Sequence, residues 1–521
     1  MHFKNFSALF IALFLFTATT YAQLQVADIF TDHAVLQREQ YVPVWGTASA
    51  ESEITVTLNG KTQKTTAAAD GHWMLELAPM KAGGPYTLTV NDITFNDIYV
   101  GDVWICSGQS NMDMTISKRG RDWAGVLNAE EEAAAADYPE IKILDVWFHP
   151  TDEAIDTVEG EWQTLTPEYA PYVSAVAYFF ARDIYKKHKV PMGLITTTYG
   201  GSCAEAWASK EALEAHPNLK FLLDNYANKK ANYTPSIAEM TKHRDAFKKW
   251  KQETREAIAT GGSRKRLPNS KDPRWDKHHP AVLYNGMIAP LIPYAIKGAI
   301  WYQGESNQNS AHVYEEIMET LIEDWRSRWG VGDFPFLYVQ LANYGKTYDT
   351  AAAEGAGMTR VRDAQLKNLS IPNTAMAVAI DNADPDNMKN IHPKNKQEIG
   401  RRLALAARAK AYGEDVVYSG PVYDYALIKG NEITIYFKDL GKRQKLVAKG
   451  GALKGFAIAG ADKKFVHAEA RIVGNTIVVS SKKVKDAVAV RYGWNNNPEV
   501  NLYNSAGLPA SPFRTDNWSE E

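Results

Sequence analysis

The chain has 521 residues and nearly balanced charge, with 58 Lys and Arg residues against 61 Asp and Glu residues. This length suggests roughly two to four domains. The 45% hydrophobic content is ample for a folded core and excludes a disordered or fibrous protein. The net charge of −3 argues against nucleic acid as a partner. The densest basic cluster near the middle of the chain, Arg264-Lys265-Arg266, is too short for a binding surface and is interpreted as a solvated loop.

The first 22 residues are interpreted as a signal peptide. Lys4 supplies a positive charge, residues 8–16 form a short apolar run, and Ala22 is a small residue that suits the cleavage site. The apolar run is too short to span a membrane comfortably, and no later segment is long and apolar enough. No Cys follows the run, so a lipid anchor is not expected. The sequence therefore predicts a secreted or periplasmic protein without a membrane anchor.

A β-sandwich-like module is predicted for residues 23–97. Short alternating runs, such as 54–58 and 86–90, are separated there by Asn-Gly, Asp-Gly and Gly-Gly-Pro turn signals. The same alternation returns after about residue 413, for example in residues 433–437. It predicts a second β module that extends over residues 413–521.

Between these modules, residues 98–412 alternate between strand-like and helical segments. Apolar runs predict six strands, at 103–106, 141–146, 193–198, 298–302, 336–341 and 375–380. Helical patterns are found between or after them, at 174–187, 314–328 and 394–411. This alternation predicts an α/β domain with a doubly wound, mostly parallel sheet covered by helices and with its chemistry at the carboxyl ends of the strands. A polar helical stretch at 205–280 is interpreted as an insertion that walls one side of the site.

Four polar segments follow the ends of separate predicted strands. They are Gly108-Gln109-Ser110-Asn111-Met112, Tyr199-Gly200-Gly201-Ser202, Trp301-Tyr302-Gln303-Gly304-Glu305-Ser306-Asn307, and Ile391-His392-Pro393 with the acidic run that precedes it. Taken singly, each fits an ordinary turn or loop. Together they place a serine, a histidine, an acid and several amide donors at one edge of one sheet. Nucleophilic acyl transfer needs this arrangement, because a base must deprotonate the serine and an acid must orient the base.

These four segments resemble those of the sialate O-acetylesterase family, which belongs to the SGNH hydrolase superfamily. The ending over residues 491–514 and the N-terminal β module also resemble the family, so the resemblance covers nearly the whole mature chain. It implies an SGNH-type core and a carbohydrate O-acetylesterase that hydrolyses acetyl esters on sugars through an acetyl-enzyme. O-acetylated sialic acids are the first expected substrates. The alternatives are an acetylxylan-type esterase acting on plant polysaccharide and a non-catalytic glycan-binding protein.

The resemblance implies Ser110 as the nucleophile and His392 as the general base. It also implies that the oxyanion donors are the Ser110 backbone, Gly201 and Asn307, with Gln303 as an alternative donor. If neutral His392 is the base, kcat/KM should rise with pH through the reference pKa of about 6.5.

The orienting acid is predicted to be Asp384. Many SGNH enzymes carry an aspartate three residues before the histidine, but Lys389 occupies that position here. Asp381 and Asp386 are the alternatives, and a Ser–His pair without an acid is the remaining option.

No metal or organic cofactor is expected, because water completes the reaction and the chain has no His and Cys spacing typical of zinc sites. Cys106 and Cys203 are predicted to be two buried small residues, with a disulfide as the alternative. Arg360 and Arg362 are interpreted as surface ion-pair residues, with a sugar carboxylate as an alternative ligand.

Overall fold

The computed structural model describes residues 23–119, 121–260, 262, 264–347, 350–352 and 357–518. The signal-peptide interpretation of the first 22 residues lies outside this part of the chain. The strands of the N-terminal module and the core are β1 (Gln25–Val26), β2 (Val35–Gln37), β3 (Val42–Thr47), β4 (Glu53–Leu58), β5 (Lys61–Thr66), β6 (His72–Leu77), β7 (Gly83–Val90), β8 (Ile93–Gly108), β9 (Tyr138–Asp145), β10 (Trp162–Leu165), β11 (Met192–Thr198), β12 (Gly298–Tyr302), β13 (Phe336–Gln340) and β14 (Thr374–Val378).

The later strands are β15 (Val422–Lys429), β16 (Glu432–Lys438), β17 (Leu446–Ala448), β18 (Phe456–Ala459), β19 (Val466–His467), β20 (Glu469–Val473), β21 (Thr476–Ser480), β22 (Ala489–Tyr492), β23 (Leu502–Asn504) and β24 (Phe513–Arg514). The α-helices are α1 (Ser110–Asp113), α2 (Ala129–Ala134), α3 (Ala175–His188), α4 (Lys210–Ala215), α5 (Lys220–Ala231), α6 (Ile237–Ala259), α7 (Val282–Met287), α8 (Tyr314–Trp329), α9 (Gly357–Lys367) and α10 (Lys396–Lys410).

The core sheet has the order β10-β9-β11-β8-β12-β13-β14. All neighbours pair in parallel except β9 and β10, which are antiparallel. The chain enters at the central strand β8, adds β9 and β11 on one side, and then adds β12, β13 and β14 on the other. All six predicted strands are present, and the all-buried patterns of four of them, β11, β12, β13 and β14, explain why the sequence shows continuous apolar runs there. Ligands of such sheets bind in the crevice at the carboxyl end where the winding direction changes, which is the end of β8.

Strand β8 joins the N-terminal module to the core. Its first part pairs antiparallel with β7 and parallel with β2, and its second part lies between β11 and β12. The strand alternates between exposed and half-buried residues up to residue 97, and it is buried without interruption from Ile98 onward. The predicted boundary at 97/98 therefore falls inside one continuous strand. This boundary marks the place where both faces of β8 become buried. The sequence therefore changes there from alternating to continuously apolar residues.

The remaining β structure flanks this core. Strands β1, β3 and β6 form a separate three-stranded sheet that shares one apolar core with β4, β7 and β8. Strands β15 to β24 form two four-stranded sheets and one two-stranded sheet around a second apolar core. Helices α4, α5 and α6 occupy the predicted insertion at 205–280. None of the helices described by the structure is long and apolar enough to cross a membrane.

Candidate active site

Ser110 lies at the carboxyl end of β8, as the first residue of the short helix α1. The turn before it depends on Gly108, which has φ +139° and packs so closely that a Cβ atom there would lie 2.2 Å from the Tyr302 carbonyl oxygen. The backbone N–H of Gln109 donates to that same carbonyl at 3.0 Å. Because only glycine tolerates this approach, the Gly-Gln-Ser segment leaves the sheet sharply and presents Ser110 at its edge.

His392 contacts Ser110 directly, with Nε2 lying 2.8 Å from Ser110 Oγ. The other ring nitrogen, Nδ1, lies 3.2 Å from Asn390 Oδ1. An amide oxygen only accepts hydrogen bonds, so this contact assigns the proton to Nδ1 and leaves Nε2 free to accept from the Ser110 hydroxyl. Trp123 packs on the imidazole with a ring separation of 4.3 Å, and Asn390 Nδ2 donates to the Trp123 carbonyl at 3.3 Å.

The surroundings of His392 favour its neutral form. Burial, which has the largest effect, and the positive charge of Lys396 together lower its pKa to about 3, against the opposing effect of the Asp113 carboxylate. A lowered pKa keeps the imidazole unprotonated, as a base requires. The expected rise of kcat/KM through a pKa near 6.5 therefore has to be corrected, because the pKa of His392 lies far below that value.

The predicted acid Asp384 does not contact His392. Its carboxylate pairs with Lys394 at 3.2 Å and accepts from the backbone N–H of Asp386 at 3.1 Å, because the loop turns back on itself at this point. The alternative Asp381 forms a two-pronged ion pair with Arg402, at 2.7 and 2.9 Å.

The remaining alternative, Asp386, is exposed. Within the described residues, the side chain that meets His392 Nδ1 is the neutral amide of Asn390.

The two predicted side-chain oxyanion donors direct their N–H groups to protein acceptors. Asn307 Nδ2 donates to Glu205 Oε2 at 2.7 Å and to Ser310 Oγ at 3.1 Å. Gln303 Nε2 donates to the Ser202 carbonyl at 3.1 Å and to Asn307 Oδ1 at 2.6 Å. Both amides therefore brace the segment that follows β11, rather than pointing free N–H groups at Ser110.

The glycine pair after β11 lies against Ser110. A Cβ atom built on Gly200 would lie 3.5 Å from Ser110 Cβ, and Gly201 has φ +75°. Within the described part of the chain, the backbone N–H groups of Ser110 and Gly201 have no hydrogen-bond acceptor. Backbone N–H groups of this kind beside a nucleophile are suitable donors for a developing oxyanion.

An open cleft of about 620 Å³ adjoins the Ser110–His392 pair through Gly200, which packs against Ser110, and Trp123, which packs on His392. Its walls combine aromatic and charged side chains, including Trp123, Tyr199, Trp275, Arg121, Arg266 and Lys277. Residues 266–278, which follow helix α6 of the insertion, supply one wall, so the insertion contributes directly to the cleft. Aromatic faces and cationic groups together suit an anionic sugar, since rings pack on sugar faces and cations attract a carboxylate.

Arg264 was interpreted as part of a solvated basic loop, and this interpretation is wrong. Its side chain is only 8% exposed, donates to the Val146 carbonyl at 2.5 Å, and pairs with Asp113 at 2.7 Å. The guanidinium also lies 4.0 Å from the centre of the Phe148 ring. The arginine thus fastens the insertion to the strand ends beside the nucleophile.

Arg362 was likewise placed on the surface, yet it is fully buried. Its guanidinium donates to four backbone carbonyls, those of Leu341, Ala342, Asn495 and Asn496. It therefore bridges the core and the C-terminal module and cannot bind a sugar. Arg360 is half-buried and lines a separate pocket beside Arg514 and Trp518.

Both cysteines are buried and free, as the first interpretation of Cys106 and Cys203 expected. No cluster of His, Cys, Asp and Glu residues that could hold a metal ion is found among the described residues.

Sequence reasoning missed four further residues around the pair, which are Asn111, Glu305, Asn390 and Lys396. Two of them lie inside the quoted motifs, where a polar side chain next to a buried strand end was the available signal. Lys396 gave no such signal, since a lysine at the start of a helix normally lies in solvent. In the structure it is fully buried.

Comparison with known proteins identifies the family of this chain. Residues 258–409 match the family model described as carbohydrate esterase, sialic acid-specific acetylesterase. The sialate O-acetylesterases of mouse and human are each 30% identical to this chain, cover 94% of it, and are themselves covered over 93% and 91% of their lengths. A carbohydrate acetylesterase from Xanthomonas citri is 35% identical, with a TM-score of 0.78, covering 95% of this chain and 100% of that one. The chain therefore belongs to the sialate O-acetylesterase family and is a carbohydrate esterase, a carboxylic ester hydrolase.

Proposed function

We propose that this enzyme removes acetyl groups from O-acetylated sialic acids by a Ser110–His392 mechanism. The observation that carries the proposal is the 2.8 Å contact between Ser110 Oγ and His392 Nε2 at the edge of the cleft. His392 takes the hydroxyl proton as Ser110 Oγ attacks the acetyl carbonyl carbon. The same imidazole then returns that proton to the departing sugar oxygen, which leaves an acetyl-enzyme.

Water completes the reaction. His392 removes a proton from water as the water oxygen attacks the acetyl carbonyl, and it returns the proton to Ser110 Oγ as acetate leaves. In both halves of the reaction the backbone N–H groups of Ser110 and Gly201 donate to the negatively charged oxygen. Gln303 and Asn307 support this hole from behind, because they bind the Ser202 carbonyl and the Ala204 N–H.

The cleft supports a sialic acid rather than a neutral xylan as substrate. Three cations, Arg121, Arg266 and Lys277, line it against two carboxylates, those of Asp113 and Asp276, and Asp113 is also paired with Arg264. The uncompensated charge is positive and attracts the sugar carboxylate. The signal-peptide pattern of the first 22 residues supports a secreted or periplasmic location for this enzyme.

One experiment tests the mechanism and the substrate together. Acetate release is measured from acetylated sialosides and acetylated xylo-oligosaccharides, with the wild type, Ser110→Ala and the control Ser481→Ala from the C-terminal module. We expect sialosides to be preferred in kcat/KM, and Ser110→Ala to lower kcat on the order of 10⁴–10⁶-fold. An active Ser110→Ala variant would contradict the nucleophile, and a preference for xylo-oligosaccharides would contradict the substrate.

A further inference from the structure

The residue after the nucleophile, Asn111, is buried, and its side chain joins three segments. Its Nδ2 donates to Glu305 Oε1 at 2.5 Å and to the Ile391 carbonyl at 3.1 Å. Its Oδ1 accepts from Lys396 Nζ at 2.5 Å. Because the Ile391 carbonyl belongs to the peptide bond that ends at His392 N, Asn111 connects helix α1 directly to the backbone of the base.

Opposite charges fix the direction of this amide. Lys396 is fully buried as the first residue of α10, where the helix dipole disfavours a cation, and Glu305 is a buried carboxylate three residues after the end of β12. Buried charges need partners, and the Asn111 amide supplies its oxygen to the ammonium and its N–H to the carboxylate. Turning the amide over would set N–H against ammonium and oxygen against carboxylate, so a single orientation is allowed.

Lys396 also acts on His392 through its charge. Burial lowers the pKa of Lys396 to about 7, opposed by Glu305, and burial raises the pKa of Glu305. The charge of Lys396 in turn lowers the pKa of His392, while Asp113 faces His392 from α1 with the opposite effect and is itself paired with Arg121 at 3.5 Å. The charge on Lys396 therefore affects both the position and the basicity of His392.

We propose that Asn111, Glu305 and Lys396 form a positioning cluster for His392. The oppositely charged pair holds the Asn111 amide in one orientation, and the amide holds the backbone before His392 at the distance that lets its ring meet Ser110 Oγ. The cluster thus supplies the positional part of what a triad carboxylate supplies elsewhere. This inference rests on the proposed Ser–His mechanism.

A double-mutant cycle tests the cluster. Lys396→Met, Glu305→Gln and the double variant are compared with the wild type by kcat and KM on p-nitrophenyl acetate. Each single change leaves a buried charge without its partner and shifts the base, so kcat should fall on the order of 10–100-fold with KM nearly unchanged. The double variant should be no worse than the poorer single variant, because no unpaired charge remains. Lys410→Met, at the far end of α10, is the control and should match the wild type.

The pH profile separates positioning from a merely structural role. Lys396→Met removes a positive charge that faces His392. Because the loss of this charge favours the imidazolium and raises the pKa of His392, the acid limb of kcat/KM should move to higher pH. Multiplicative losses in the double variant, unchanged kcat in the single variants, or an unmoved acid limb would each overturn the cluster. If Lys396→Met does not fold, Glu305→Gln and the double variant decide the question by kcat. An inactive Ser110→Ala beside any of these outcomes leaves the proposed mechanism standing.

Discussion

The neutral partner of His392 is an unusual feature at the residue scale. Asn390 Oδ1 meets Nδ1 at 3.2 Å and so fixes the tautomer, as a triad carboxylate does. An amide carries no net charge, however, and stabilises the imidazolium formed during proton transfer less than a carboxylate would. Burial and Lys396 already lower the pKa of His392. The site therefore relies on geometry more than on a charged third member.

The pH dependence of kcat/KM should show that His392 stays neutral without a charged partner. A pKa of His392 near 3 means that the neutral base persists down to low pH, so wild-type kcat/KM should stay flat between about pH 5 and 6, below the pKa of about 7 at which Lys396 loses its charge. Asn390→Asp places a negative charge against Nδ1, favours the imidazolium, and should raise the acid limb by about 1–3 pH units. Both profiles are measured by acetate release, with Asn387→Asp in the same loop as the control. A wild-type limb near the ordinary histidine value would contradict the buried, neutral base.

Motif spacing could predict the Ser110–His392 contact but not the group behind it. The serine and the histidine each follow a buried strand, so parallel packing alone brings them to one edge. The partner of Nδ1 depends on how the loop between β14 and α10 folds, and no periodic pattern encodes that path. In the structure, Asp384 turns toward Lys394, and Asn390 takes the position beside the ring.

At the scale of elements, strands buried on both faces were the easiest to predict. Strand β12 runs from Gly298 to Tyr302, as the apolar run indicated, and helices α3, α8 and α10 lie within two residues of their predicted bounds. The insertion was harder, because its cleft wall follows helix α6 as a segment with little regular structure. The sequence of a basic tripeptide in such a segment predicts exposure to solvent, because it does not show which strand ends the side chains contact.

Arg264 allows a prediction about the cleft wall that the insertion forms. Replacing it with Met removes the bonds to Val146 and Asp113 and should loosen the wall formed by residues 266–278. We expect KM for acetylated sialosides to rise roughly tenfold, as for loss of a charge-assisted contact worth about 1.4 kcal/mol, with little change for p-nitrophenyl acetate. The neighbouring exposed residue gives the control Lys265→Met. An equal effect of Arg264→Met on the kinetics of both substrates would mean that the substitution disturbs Ser110 and not the cleft wall.

At the scale of the whole molecule, the structure is more continuous than three predicted modules suggest. Strand β8 belongs to both the N-terminal module and the core sheet, so these two share one hydrogen-bonded ladder. The C-terminal sheets have a separate apolar core, and hydrogen bonds such as those of Gln340 with Ser511 and of Asn343 with Asn497 cross their junction with the esterase core. Sequence patterns report the burial of each face along a strand, but they do not report which strands continue across a change of pattern.

Arg362 is the residue at that junction whose replacement should lower the free energy of unfolding most. It is fully buried and donates to carbonyls on both sides, at Leu341 and Ala342 in the core and at Asn495 and Asn496 in the C-terminal module. Arg362→Met leaves these carbonyls without donors, and we expect the free energy of unfolding to fall by about 3 kcal/mol, offset in part by the removal of a buried charge.

Denaturant unfolding followed by tryptophan fluorescence measures this loss, with the exposed Arg244→Met on α6 as the control, which should stay within about 0.5 kcal/mol of the wild type. Because the C-terminal sheets have their own core, the weakened junction should also split the unfolding curve, with the C-terminal module opening first. Acetate release should persist through that first step, since Ser110 and His392 both lie on core elements. An unchanged midpoint in Arg362→Met would mean that the apolar contacts at the junction hold the two parts together without the guanidinium.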